Sequence, residues 1–106
     1  MEPTMNLNEY QEAARKTAVY QNSMYPMMAI GEEVGELQGI FAKAMRKGLP
    51  YDREKAIDEL GDVLWNVANV AHEIGITLEY AALCNIRKLS ERSGQGTLAL
   101  MERDDV

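Results

Sequence analysis

The chain is short of several residue types: its 106 residues include one cysteine, one histidine, one phenylalanine, one tryptophan and three prolines. A lone Cys84 excludes an internal disulfide. It falls in the apolar run Tyr80-Ala81-Ala82-Leu83-Cys84, where a small buried hydrophobe is expected rather than a catalytic thiol. The lone His72 has no glutamate three residues before it, which excludes the Glu-x-x-His motif of di-iron helical bundles and places it at a surface or interface. β-Branched residues never alternate with polar ones as a half-buried strand requires, so a sheet is not expected. No apolar run approaches the roughly 18 residues that suggest a membrane span. The opening Met1-Glu2-Pro3-Thr4 lacks the basic flank and apolar stretch of a signal peptide, and a cytoplasmic location is expected. Positive charge is also scarce. Eleven basic against 17 acidic residues give −6, which argues against a nucleic-acid polymer as partner, since phosphate backbones need clustered Lys and Arg.

Hydrophobic residues at 46% and charged residues at 26% are the balance of a folded protein. The length predicts one domain across residues 1–106, with a helical core over about 7–93 and a polar tail over 94–106. A core this small gains from self-association, so a homodimer or homotetramer is expected. The fold class expected is all-α: a four-helix bundle-like protomer with two long central antiparallel helices, completed by oligomerisation.

The first helix is expected from about Asn8 to Tyr20, with Asn6 or Asn8 as N-cap. The second starts near Pro26 and ends at Lys47, where Arg46 and Lys47 suit a helix C-terminus and Gly48 can take the left-handed cap. Asp52 caps a third helix that stops at Gly75, and Thr77 caps a fourth that runs to about Arg92. Apolar residues step by three and four at Met27, Ile30, Val34, Leu37, Phe41 and Ala44, and again at Ile57, Leu60, Leu64, Val67, Ala71 and Ile74. These read as the seams that pack the two long helices together. The short Gly48-Leu49-Pro50-Tyr51 link makes them an antiparallel hairpin.

Each long helix carries a carboxylate pair at i, i+3, on one helix face: Glu33 and Glu36 in the second, Glu59 and Asp62 in the third. Facing one another, four ionised carboxylates repel and are costly to desolvate, and a hard divalent cation relieves both. Mg²⁺ fits best, with Mn²⁺ as a possible substitute. Setting the four aside leaves thirteen acidic against eleven basic residues, so much of the net charge is concentrated here. Gly35 and Gly61 sit inside the two motifs in mid-helix, where glycine costs about 1 kcal/mol relative to alanine. Close helix approach or room for a ligand would offset that. The plainer alternative is that Glu32, Glu33, Glu36, Asp58, Glu59 and Asp62 merely solvate two amphipathic helices.

The combination Glu32-Glu33-x-x-Glu36, a 22-residue gap from Leu37 to Asp58, and Glu59-x-x-Asp62 resembles the EExxE…ExxD signature of the MazG-like all-α nucleoside triphosphate pyrophosphohydrolases. Leu7-Asn8-Glu9-Tyr10-Gln11 looks like that family's opening helix, Glu59 to Trp65 like its third, and Asn85 to Arg92 like its N-x-x-K-x-x-x-R segment. The resemblance implies that Glu33, Glu36, Glu59 and Asp62 hold Mg²⁺, that Glu32 is a general-base candidate beside Glu33, and that Asn85, Lys88 and Arg92 handle the substrate. Those three are spaced i, i+3, i+7, within a narrow arc of the fourth helix that continues from Leu78 and Ala82. The implied reaction converts a (deoxy)nucleoside triphosphate and water to the monophosphate and pyrophosphate, in the service of nucleotide-pool cleaning. In the related phosphoribosyl-ATP pyrophosphatases a Tyr-His pair follows the ExxD segment. Trp65-Asn66 stands there instead, which argues against that substrate, and Asn66 reads equally as a ligand for a sugar or base or as a capped, solvated asparagine. Trp65, Tyr10, Tyr20, Tyr25, Tyr51 and Tyr80 are candidates for base stacking, although aromatics at helical spacing more often fill a core or interface. The competing reading from another class is a catalytically silent helical module that binds nucleotide or a partner.

Overall fold

The computed structural model describes residues 3–93 and, among them, four helices and no strand: α1 (Leu7–Lys16), α2 (Tyr25–Lys47), α3 (Arg53–Glu73) and α4 (Leu78–Ser93). The part of the tail from Gly94 on lies outside the described residues. Local chemistry sets the boundaries. Asn6 accepts from the Glu9 N–H while Glu9 accepts from the Asn6 N–H, both at 2.8 Å, a capping box that opens α1. Pro26 sits in the first turn of α2, where its missing N–H has no helical partner to lose. Gly48, at φ 65°, closes α2, and the Leu49 N–H returns to the Ala44 carbonyl at 3.0 Å. Asp52 caps α3 through the Lys55 N–H at 3.2 Å, and Thr77 caps α4 through the Tyr80 N–H at 3.0 Å.

The first helix ends four residues earlier than the sequence suggested. Thr17 turns its hydroxyl back to the Ala14 carbonyl at 2.8 Å and accepts the indole N–H of Trp65 at 2.8 Å. The chain then extends, so that the Tyr20 hydroxyl donates to Glu73 at 2.5 Å and accepts from Arg15 at 2.7 Å. Arg15 also donates to Asn69 at 3.0 Å and lies 3.6 Å from the Glu73 carboxylate. Tyr20 stacks on Tyr25 and meets Trp65 edge-on. This clasp ties the approach to α2 against the far end of α3.

The small core lies at that same end. Ala14, Ala68 and Leu78 are buried together, with Tyr10, Trp65 and Val67 packed against them. Buried Gln11 donates to the carbonyls of Ala68 and Ile76 and accepts the Leu78 N–H at 2.9 Å, joining α1, α3 and the start of α4. Helix α3 is the hub: α2 packs on it along its length, α1 and α4 pack on it and on each other, and α2 touches neither α1 nor α4.

The antiparallel hairpin of α2 and α3 is as expected, and so are Ile30, Leu37 and Ala44 in its seam, but the remainder of the seam differs. Since α2 touches no other helix, its half-buried side chains Ile30, Glu33, Leu37, Ile40 and Ala44 mark the contact with α3. On α3 the corresponding row is Ala56, Glu59, Val63, Asn66 and Val70. Val34, Phe41, Ile57, Leu60 and Leu64, assigned by periodicity to the contact, are exposed instead, Leu60 by 58% and Ile57 by 51%. On α3 the whole stripe is displaced by one residue. Periodicity finds the most apolar stripe of a helix, and here the intramolecular stripe is diluted by Glu33, Glu59 and Asn66. Cys84 is exposed, not buried, because α4 turns that side away from α1 and α3. His72 is exposed, as the sequence reading allowed.

Candidate metal centre

One residue step on an α-helix is a rotation of about 100°, and in an antiparallel pair equal steps turn both helices toward the same side of the hairpin. One step forward from the seam lie Val34, Phe41 and Met45 on α2, and Ile57, Leu60 and Leu64 on α3. One step back lie Glu32, Glu36, Gly39 and Lys43 on α2, and Lys55, Asp58, Asp62 and Trp65 on α3. The hairpin therefore has an apolar side and a charged side, divided by a seam that itself contains Glu33 and Glu59.

At the meeting of seam and charged side, one carboxylate oxygen from each of Glu33, Glu59 and Asp62 lies within 4.8 Å of the other two. Glu33 and Glu59 are half-buried and Asp62 is exposed. The Glu59 carboxyl is pushed up to about 7, first by sharing a hydrogen bond with the Glu33 carboxyl, then by burial, then by the charges of Glu33, Asp62 and Glu36. Its Oε2 is buried without a hydrogen-bond partner. An orphaned carboxylate oxygen beside two further carboxylates is a donor set for a hard divalent cation, so these residues fit the metal that the sequence implied.

The other sequence candidates fall in three groups. Glu36 stands outside the close trio but near enough for its charge to act on Glu59. With Glu32, also exposed, it lines a cavity of about 660 Å³ that runs from the carboxylates to the turn between α2 and α3 and also includes Glu59. Asn66 is buried, not solvated. Its Nδ2 donates to the Asp62 carbonyl at 3.0 Å, and its Oδ1 is buried without a partner. Asn85, Lys88 and Arg92 are all exposed on α4, a helix with no contact to α2.

The aromatics divide as well. Tyr10 and Trp65 pack on the core, and the Tyr10 hydroxyl is pushed up by burial and then by the charge of Asp62, so α1 borders the carboxylates on the side away from the turn. Tyr51 packs on Phe41 with ring centroids 4.8 Å apart and lines the cavity at the turn, whereas Tyr80 is exposed.

Sequence reasoning missed the basic part of the cavity wall, Lys43, Lys47 and Lys55, with Gly39 between Glu36 and Lys43. The signal was present in the α2 stripe Glu32, Glu36, Gly39, Lys43, Lys47, whose steps of four and three keep one face. No close helix approach explains the glycines within the protomer. A Cβ added at Gly35, Gly39 or Gly61 would meet nothing within 4 Å.

The chain is 29% identical over 107 residues to the Gene 37 protein of Mycobacterium phage L5, a match that covers 89% of this chain and 94% of that protein. No solved structure matches significantly. The family model of the MazG nucleotide pyrophosphohydrolase domain matches residues 21–97, a span that holds both carboxylate pairs and the segment from Asn85 to Arg92. Proteins of that family are generally dependent on divalent cations. On a match over most of its length, the chain belongs to the MazG nucleotide pyrophosphohydrolase family.

Proposed function

We propose that the protein hydrolyses a nucleoside triphosphate, most naturally a deoxynucleoside triphosphate, to its monophosphate and pyrophosphate in a Mg²⁺-dependent reaction that cleans the nucleotide pool. The observation that carries this reading is the approach of Glu33, Glu59 and Asp62 oxygens to within 4.8 Å of one another. Glu33, Glu36, Glu59 and Asp62 would hold the ion. When bound, Mg²⁺, or Mn²⁺ in its place, supplies Lewis-acid stabilisation of charge on phosphate oxygens and a nucleophile at neutral pH.

The protein's own groups do the rest. Water attacks the α-phosphorus, its proton passes to Glu32 or Glu33, and the bond to the β-phosphate oxygen breaks to release pyrophosphate. Glu32 lines the cavity and is free of the carboxylate trio, which suits it to accept a proton. Asn66 lies outside the cavity lining with its Oδ1 buried and without a partner, and a sugar hydroxyl or base N–H that reached it would satisfy it. Asn85, Lys88 and Arg92 bind substrate from α4.

The working form in this reading is a homodimer or homotetramer in the cytoplasm, with a second copy seated on the apolar side of the hairpin. On that side Met45 is exposed by 82%, Leu60 by 58% and Ile57 by 51%. Among the described residues no helix is long and apolar enough to cross a membrane.

The test is pyrophosphate release over a panel of ribo- and deoxynucleoside triphosphates, read through inorganic pyrophosphatase, with Mg²⁺ and with EDTA. Turnover of at least one nucleotide that EDTA abolishes is expected. No turnover of any nucleotide would overturn the proposal in favour of a silent nucleotide-binding module.

A further inference from the structure

The cavity on the charged side of the hairpin contains more than the metal centre uses. Toward the turn its wall changes from glutamate to lysine: Lys43 and Lys47 from α2, and Lys55 from α3. Acidic groups are close by in sequence, yet Arg15–Glu73 is the one ion pair within 4.0 Å among the described residues, so none of the three ammonium groups is neutralised by a carboxylate. Asp52, the nearest acid at the turn, spends an oxygen on the Lys55 backbone N–H instead.

Bare backbone interrupts this wall twice, at Gly35 between Glu32 and Glu36 and at Gly39 between Glu36 and Lys43. Gly35 and Gly39 are one turn apart in the cavity lining, and a Cβ at either would project into open space. Two mid-helix glycines that relieve no packing contact weaken α2 by about 1 kcal/mol each relative to alanine. A ligand lying close against that stretch of backbone is the compensation the cavity offers. Side chains on a helix lean toward its N-terminus, so Lys43 leans over Gly39 toward Glu36. The two residues are about 10 Å apart along the axis, the scale of an extended polyphosphate.

We infer that this lysine-walled end of the cavity seats the pyrophosphoryl tail of the substrate, with Lys43 and Lys47 gripping it over the floor made by Gly35 and Gly39. The inference rests on the reading of the carboxylates as the site of hydrolysis and adds a direction to it. The tail points to the turn between α2 and α3, and the nucleoside points the other way, toward Tyr10 and Trp65. The cations of α4 do not share this wall, since Lys88 and Arg92 are absent from the cavity lining. The same seat holds the pyrophosphate product after cleavage, so free pyrophosphate competes with substrate.

Calorimetry with inorganic pyrophosphate as the probe, in Mg²⁺, tests this apart from turnover. The wild-type protein binds pyrophosphate, and K43A/K47A weakens binding by at least about tenfold, the effect of losing charge-assisted contacts. R46A/R53A removes the same charge near the turn but outside the cavity, and it retains affinity within about twofold. Gly39→Val fills the floor and weakens pyrophosphate binding as well, with a thermal melt confirming that the variant is folded. Absence of pyrophosphate binding by the wild type, or equal loss in the two double variants, overturns the inference. Failure of the hydrolysis reading shows up separately, as absence of nucleotide turnover.

Discussion

The two sides of the α2–α3 hairpin are built by the same two helices and differ by two residue steps, yet they do opposite things. One carries Val34, Phe41, Met45, Ile57, Leu60 and Leu64, apolar groups that are exposed among the described residues, with Phe41 meeting only the Tyr51 ring at the turn. The other carries carboxylates, lysines and glycines around a cavity of about 660 Å³. Between them the seam is apolar except where Glu33, Glu59 and Asn66 interrupt it. A hairpin held by so thin a seam is a poor fold alone, and the proposed function puts self-association and chemistry on opposite sides of it. Substitutions on one side should therefore leave the property of the other intact.

The largest effect is expected on the charged side. Glu36→Gln and Asp62→Asn should lower turnover by at least about a thousandfold, since each removes a carboxylate from an ion worth several kcal/mol to the transition state. Circular dichroism should show unchanged helicity, and normal rates in both variants would remove the proposed site. On the apolar side, Leu60→Glu should shift the sedimentation profile toward monomer and lower the thermal midpoint by several degrees, since a buried charge without a partner replaces an apolar contact. An unchanged oligomer would show that this side is not where a second copy sits.

The titration of Glu59 sharpens the comparison further. A carboxyl raised to about 7 in the folded chain, from near 4.3 when unfolded, binds its proton more tightly in the folded state. Metal-free stability is then greatest below the unfolded value and falls as pH rises from about 4.3 through about 7. Mg²⁺ competes with that proton, so it should raise the thermal midpoint more at pH 8 than at pH 5. Melts over that range, with Mg²⁺ or EDTA, check both statements, and a metal effect independent of pH would contradict them. The smallest effect is expected at Gly61, whose Cβ position is open. Gly61→Ala should stabilise the helix by up to about 1 kcal/mol. Destabilisation in urea would mean that assembly brings another helix close to it.

Helix ends were legible in the sequence because each is set by local chemistry: Asn6, Asp52 and Thr77 as N-caps, Gly48 and Gly75 with positive φ at the stops. The end of α1 was not, since it depends on Thr17 meeting Trp65, 48 residues away. The carboxylate pairs were legible through spacing. That Glu33 and Glu59 lie within the seam was not, because the hydrophobic pattern followed the stripe that faces away from the partner helix. Asn66 shows the same limit. Its burial comes from the pairing of α2 with α3, and nothing in its local sequence distinguishes it from a solvated asparagine. The lysine wall was overlooked for a different reason: Lys43 and Lys47 read as a helix C-terminus complementing its dipole, and only the turn brings Lys55 opposite them.

The central claim is that the carboxylates on the charged side of the hairpin form a metal site. Titration with Mn²⁺ followed by electron paramagnetic resonance, on the wild type and on a Glu33→Gln/Glu59→Gln variant, tests it most directly. The account predicts loss of the free-ion signal with the wild type, reversed by added Mg²⁺, and a free-ion signal nearly undiminished with the variant. Equal binding by the two proteins would contradict it.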